Sequence, residues 1–231
     1  MSHFILMLTK DDRTVSNAAA IYEEVRDTKV GHVGFKDIGL PLDEMKELAA
    51  RIRTDGRHMM LEVVSTSREA ELCSIQAAIE IGVDYLLGGR HVSDALPLLA
   101  GTSIRYFPFC GNTVGHPTRL EGTIDEIVAD ARRLATLPGV HGLDLLGYRF
   151  AGKAEELTRR VVEAVHTPVI AAGSIDRPER ARAVCDAGVW GFTVGSALFE
   201  GKFATDFFKQ QIRSLVRFEG VSPVRECLWG A

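Results

Sequence analysis

Eight times along this chain a short run rich in Val, Ile, Leu and Phe is followed by a longer stretch with apolar residues at helical spacing. The runs predict strands over 4–8, 30–35, 59–64, 84–87, 104–107, 142–146, 169–172 and 192–194. The stretches between them predict helices over 16–27, 42–53, 68–81, 93–99, 124–137, 154–165, 179–187 and 205–218. Strands that are apolar on consecutive residues need cover on both faces, which a parallel sheet flanked by helices supplies. Eight units in 231 residues leave roughly 29 residues each, near the lower limit for a (β/α)8 barrel, with little room for a second domain or a long lid. A doubly wound sheet is the alternative, but it usually places a Gly-rich turn after its first strand. Thr9, Lys10, Asp11 and Asp12 stand there, with no G-x-G-x-x-G. The expected fold class is therefore α/β, a single TIM-barrel domain spanning 1–231.

Local signals agree. Thr123 with Glu126 fits a capping box, Pro41 or Asp43 opens the second helix, and Gly82 and Gly188 stand where left-handed caps end helices. Composition narrows the function classes. With 46% hydrophobic residues, 25% charged residues and a net charge of -4, the chain can build a core. It has no Lys/Arg block for nucleic acid. Cys73, Cys110, Cys185 and Cys227 form no CxxC pair, which fits a reducing cytoplasmic setting. The N-terminal apolar run, Phe4 to Leu8, is too short for a signal peptide or a membrane span. The apolar ending with Leu228 and Trp229 predicts packing across the barrel bottom or a homo-oligomer contact, the latter slightly preferred.

Residues 168–203 carry the most chemistry. Two apolar strands there each end in a Gly-Ser turn, Gly173–Ser174 and Gly195–Ser196, and the second turn opens a short helix. Converging backbone N–H groups beside a helix N-terminus bind phosphate without a charged side chain. In a barrel that site lies after strands 7 and 8. Residues 80–92, EIGVDYLLGGRHV, repeat the form of DAGVWGFTVGSALF at 186–199, so Gly89 corresponds to Gly195.

The 168–203 stretch resembles the ribulose-phosphate-binding barrels, most closely the isomerases and cyclases of histidine and tryptophan biosynthesis. Their eighth strand ends in V-G-x-A-[LI]-[YF]-x-G, and VGSALFEGKF matches it closely. GVDYLLGGRHV resembles the fourth unit of the histidine enzyme, whose turn holds a second phosphate. The resemblance implies a phosphorylated small-molecule ligand. It also implies aspartates on the first and fifth strands, where this chain has FILMLT and IRYFPFCGN. The K-[IV]-C-G turn of the tryptophan-pathway isomerase is missing from the first strand as well. The phosphate site carries over; the family chemistry does not.

Catalytic candidates follow from the fold, whose active sites lie at the carboxyl ends of the strands. Lys36, Glu62 and Asp144 sit in or at the ends of apolar strands, where a charge is costly unless it is paired or faces a polar cavity. They are expected to point together into the barrel mouth, as an acid–base group or as a structural ion pair, while Asp37 faces outward and caps a loop. Lys10, Gly89, Arg90 and Asn112 are expected to bind substrate, with Ser65, Thr66, Tyr148 and Arg149 as further polar loop residues. His91 and His116 fall in upper loops. His3, His32, His58, His141 and His166 fall at strand starts, where solvated or helix-packed side chains are expected. No histidine pair has ligand spacing, so no metal site is assigned, although a divalent ion is not ruled out, and no cofactor is called for. The chemistry favours an isomerase or epimerase moving a proton next to a carbonyl of a sugar phosphate. The alternatives are a lyase, aldolase or decarboxylase, or a non-catalytic phosphate-binding barrel.

Overall fold

A computed structural model describes residues 2–203 and 208–218. Eight parallel strands form its central sheet: β1 (His3–Met7), β2 (His32–Lys36), β3 (His58–Val63), β4 (Tyr85–Gly88), β5 (Arg105–Phe107), β6 (Leu143–Leu145), β7 (Val169–Ala171) and β8 (Gly191–Val194). Their spatial order is 6-7-8-1-2-3-4-5. Between β5 and β6 the sheet closes through single bridges, Tyr106 to Val140 and Phe109 to Asp144, with Asp144 N donating to Pro108 O at 2.9 Å. The chain is a (β/α)8 barrel.

The helices follow the strands in turn: α1 (Ala18–Val25), α2 (Leu42–Thr54), α3 (Arg68–Ile81), α4 (Val92–Leu99), α5 (Ile124–Ala135), α6 (Ala154–Ala164), α7 (Pro178–Asp186), the short α8 (Ser196–Phe199) and α9 (Phe208–Val216). Each strand's alternate residues either fill the barrel or meet the helices. Ile5, Met7, Met60, Tyr85, Leu87, Phe107 and Ile170 fill the lumen, and a larger apolar layer separates the sheet from the helices. Thr123 and Glu126 form the expected capping box at the start of α5, and Gly82 ends α3 in a left-handed conformation at φ 73°. Residues 205–207 of the expected last helix, and Leu228, Trp229 and Cys227, lie outside the described residues.

Two features depart from expectation. The loops after β1 and β5 are not plain turns. Each folds into a hairpin, Thr9–Lys10 with Arg13–Thr14 and Asn112–Val114 with Arg119–Glu121. The room expected to be lacking for a cover is found in these two loops. The histidines at the strand starts are not merely solvated or helix-packed. The His3, His32 and His58 rings meet at centroid distances of 4.7 and 5.0 Å, and Tyr85 and Trp190 complete the floor of the barrel. His32 is buried there, and burial together with its histidine neighbours lowers its pKa to about 3.

Candidate active site

The pleat delivers Lys36 and Glu62 to the same place. β2 and β3 run in register with Lys36 beside Glu62, and side chains two residues apart point the same way. Gly34 and Met60 lie one layer down in the lumen; a Cβ on Gly34 would come within 2.6 Å of the Met7 sulfur. Above that plug both side chains turn into the barrel mouth, and both are buried. Lys36 Nζ lies 3.3 Å from Glu62 Oε1. Asp37, the next residue, points outward as expected and holds the loop after β3, accepting from Val64 N at 3.0 Å and from the Ser74 hydroxyl at 2.8 Å.

The hairpin after β1 brings a third group into the mouth, the carboxylate of Asp12. Asp12 sits at φ 62°, a left-handed conformation that Asp tolerates better than most residues. Its carboxylate is ion-paired to Lys36 and receives both terminal nitrogens of Arg149 at 2.8 Å. It also accepts from Thr118 N at 3.0 Å, which ties the two hairpins together over the barrel. Burial alone would raise its pKa, but Arg149 and Lys36 outweigh that and hold it well below the usual carboxylate range.

Asp144 behaves in the opposite way. It is fully buried, and neither carboxyl oxygen has a hydrogen-bond partner among the described residues. Burial, reinforced by the Glu62 charge, raises its pKa well above the ordinary value, against the weaker pull of Lys36 and Arg149. Burial therefore favours the protonated form of Asp144. The expected grouping of Lys36, Glu62 and Asp144 is present, but Asp144 is electrostatically coupled to the site from below and does not border its cavity.

That cavity, about 210 Å³, is walled by Lys36, Glu62, Asp12 and Arg149 on one side. The two Gly-Ser turns, Gly173–Ser174 and Gly195–Ser196, form the other. Within the described residues the amides of these four turn residues donate to no other group. Gly173 has φ 75°, and a Cβ there would meet Arg149 Nε at 2.7 Å. A Cβ on Gly195 would meet Thr9 Oγ1 at 2.5 Å and Thr9 O at 2.9 Å. Both glycines are required by close approach, and both line the cavity.

The other expected substrate residues lie elsewhere. Lys10 is exposed on the first hairpin. Asn112 and Arg90 line a larger open cleft of about 570 Å³ between α4, α5 and the second hairpin. The Arg90 guanidinium is engaged by the carbonyls of Thr113 at 2.6 Å and Thr66 at 2.8 Å. Gly89 borders a small crevice beside it. None of the four borders the Lys36 cavity. Arg149, one of several polar loop residues in the sequence, proves central. Asp12 was not singled out; the only signal was an Asp pair directly after the first strand. Among the described residues, no group of three or more His, Cys, Asp or Glu side chains is arranged to hold a metal ion.

Residues 149–204, from Arg149 through both Gly-Ser turns, match the family described as histidine biosynthesis protein. The chain resembles the ribulose-phosphate-binding barrels. Over 87 residues it is 39% identical to a phosphoribosyl imidazole-4-carboxamide isomerase of Halobacterium salinarum, a match covering 36% of each chain. The aligned stretch thus spans about a third of that relative's length. Two solved structures share the barrel fold over most of both chains. Orotidine 5'-phosphate decarboxylase from Pyrococcus horikoshii has a TM-score of 0.66 at 14% identity, covering 93% of this chain and 98% of that one. N-acetylmannosamine-6-phosphate 2-epimerase from Clostridium perfringens has a TM-score of 0.59 at 13% identity, covering 84% and 86%. At these identities the likeness concerns the fold alone. No helix of the described residues is long and apolar enough to cross a membrane.

Proposed function

We propose that this barrel is an isomerase or epimerase acting on a phosphorylated sugar or sugar-like compound, by moving a proton next to a carbonyl. One observation carries the reading: a cation–carboxylate pair, Lys36 and Glu62, shares one 210 Å³ cavity with two unpartnered glycine-turn amide sets. The amides of Gly173, Ser174, Gly195 and Ser196 would take the phosphate, assisted by the N-terminus of α8. Phosphate held there leaves the rest of a small sugar facing Lys36 and Glu62. Its relatives and structural neighbours include an isomerase and an epimerase named for phosphorylated compounds, which supports the same class.

Glu62 borders the cavity and is assigned the base that removes the proton from the carbon beside the carbonyl. Electron density then collects on the carbonyl oxygen, and the Lys36 ammonium stabilises that oxyanion. Returning the proton to the neighbouring carbon completes an isomerisation; returning it to the opposite face completes an epimerisation. Asp12 and Arg149 are positioning residues that hold Lys36 in place. Asp144, whose pKa is raised by burial, feels the Glu62 charge without bordering the cavity.

A thermal-shift screen tests the ligand class, since a ligand that binds the folded state raises its melting temperature. Stabilisation by sugar phosphates and not by the free sugars, lost in Gly195→Val, supports the reading. Exchange of solvent deuterium into the ligand, abolished by Glu62→Gln, supports the proton transfer. Borohydride trapping of a ligand on Lys36 would instead establish a Schiff-base lyase.

A further inference from the structure

The barrel contains a second glycine turn of the same kind, and it is already filled. Gly88 and Gly89, at the end of β4, stand at φ 76° and 77° and lead into α4. The two backbone amides that follow, Arg90 N and His91 N, converge on one point. Here a protein carboxylate meets them. Glu71, fully buried in the first turn of α3, accepts from Arg90 N at 2.9 Å and His91 N at 2.8 Å through one oxygen. Its second oxygen lies 2.7 Å from Nδ1 of His91. The packing is close: a Cβ on Gly89 would sit 2.6 Å from Glu71 Oε1. Arg90, the cation at this turn, is committed to two backbone carbonyls.

The two cations that border the cavity after β7 and β8 are likewise engaged: Lys36 is ion-paired to Asp12 and Glu62, and Arg149 to Asp12. The amides of the turns after β7 and β8 have no internal acceptor among the described residues.

We propose that the ligand of this barrel carries a single anionic group, one phosphate, on an otherwise uncharged body, and that Glu71 is the resident carboxylate that closes the β4 turn to a second phosphate. The inference rests on the phosphate reading of the turns after β7 and β8, and it adds that the opposite turn takes none. A buried carboxylate accepting several N–H bonds is not displaced without leaving its own charge unsolvated, so an incoming phosphate gains little there.

Calorimetric titration of the full chain with a ketopentose monophosphate and with the corresponding bisphosphate decides the matter. The wild-type protein is expected to bind the bisphosphate no more than about threefold tighter than the monophosphate. Glu71→Ala, which empties the turn, is expected to favour the bisphosphate by about tenfold or more, as new charge-assisted bonds form. A wild-type preference for the bisphosphate of more than about tenfold overturns the inference while leaving the site after β7 and β8 intact. Binding of neither compound overturns the underlying phosphate reading and this inference with it. If Glu71→Ala fails to fold, the wild-type comparison still decides.

Discussion

Arg149 grips the carboxylate of Asp12 with both terminal nitrogens, each at 2.8 Å, across 137 positions of sequence. The planar guanidinium matches the two carboxylate oxygens, a geometry a lysine cannot reproduce. The same carboxylate is ion-paired to Lys36, so the loop after β1, the loop after β6 and the end of β2 meet at one anion.

Removing that anion leaves the buried Lys36 with Glu62 alone and the partly buried Arg149 without its carboxylate. Asp12→Ala should cost about 3–5 kcal/mol of stability, the range for breaking a buried ion pair from one side. Asp12→Asn, with its shape kept, should also lose part of the acid sensitivity. The folded pKa of Asp12 is depressed, so its stabilisation is fully present above the unfolded value near 4 and is lost as pH falls below it. Urea unfolding followed from pH 5 downward should therefore show a shallower decline in Asp12→Asn than in the wild type.

The catalytic assignments separate chemistry from binding. Glu62→Gln and Lys36→Met should lower turnover by about two to four orders of magnitude while the melting-temperature rise with a sugar phosphate persists. Gly195→Val should do the reverse at the first step and lose the ligand-induced rise, because its side chain would enter the space of Thr9. Steady-state assays on the ligand that emerges from the screen, paired with thermal shifts, check both.

Asp144 should be a stability liability at neutral pH. Its folded pKa is raised, so the unfolded chain releases a proton near pH 4 that the folded chain retains, and stability falls as pH rises from there through the folded value. Asp144→Asn, which is always neutral, should unfold at higher urea concentration than the wild type at pH 7. The gain should shrink as pH falls toward the unfolded value near 4.

The histidine floor predicts a decline on the acid side. With His32 at about 3 in the folded state and near 6.5 unfolded, the unfolded chain binds a proton that the folded chain refuses between those values. Stability should fall through that window by about 1.4 kcal/mol per pH unit from this residue. Replacing the buried ring in His32→Phe should flatten the decline between pH 6 and pH 4 in denaturant titrations.

What the sequence determined by itself was whatever short-range order controls. The run of apolar strands and amphipathic helices, the capping box at Thr123, the Gly82 cap and the inward aim of Lys36 and Glu62 all follow from periods of two and 3.6 and from local backbone preferences. The Gly-Ser turns after β7 and β8 were legible for the same reason, since a glycine turn and the helix it opens are contiguous in the chain. Tertiary structure alone decided the rest. Asp12 reaches the site from a hairpin whose conformation depends on Arg149 and Thr118, 137 and 106 positions away. Asp144 is acidic by composition, yet the closed barrel removes its water and raises its pKa well above the ordinary value. Gly89 and Arg90 look in sequence like Gly195 and Ser196, but Glu71, 19 residues before Arg90 and on another helix, occupies their turn. Charges act through space and through the solvent excluded between them, and neither quantity exists until the chain has closed on itself.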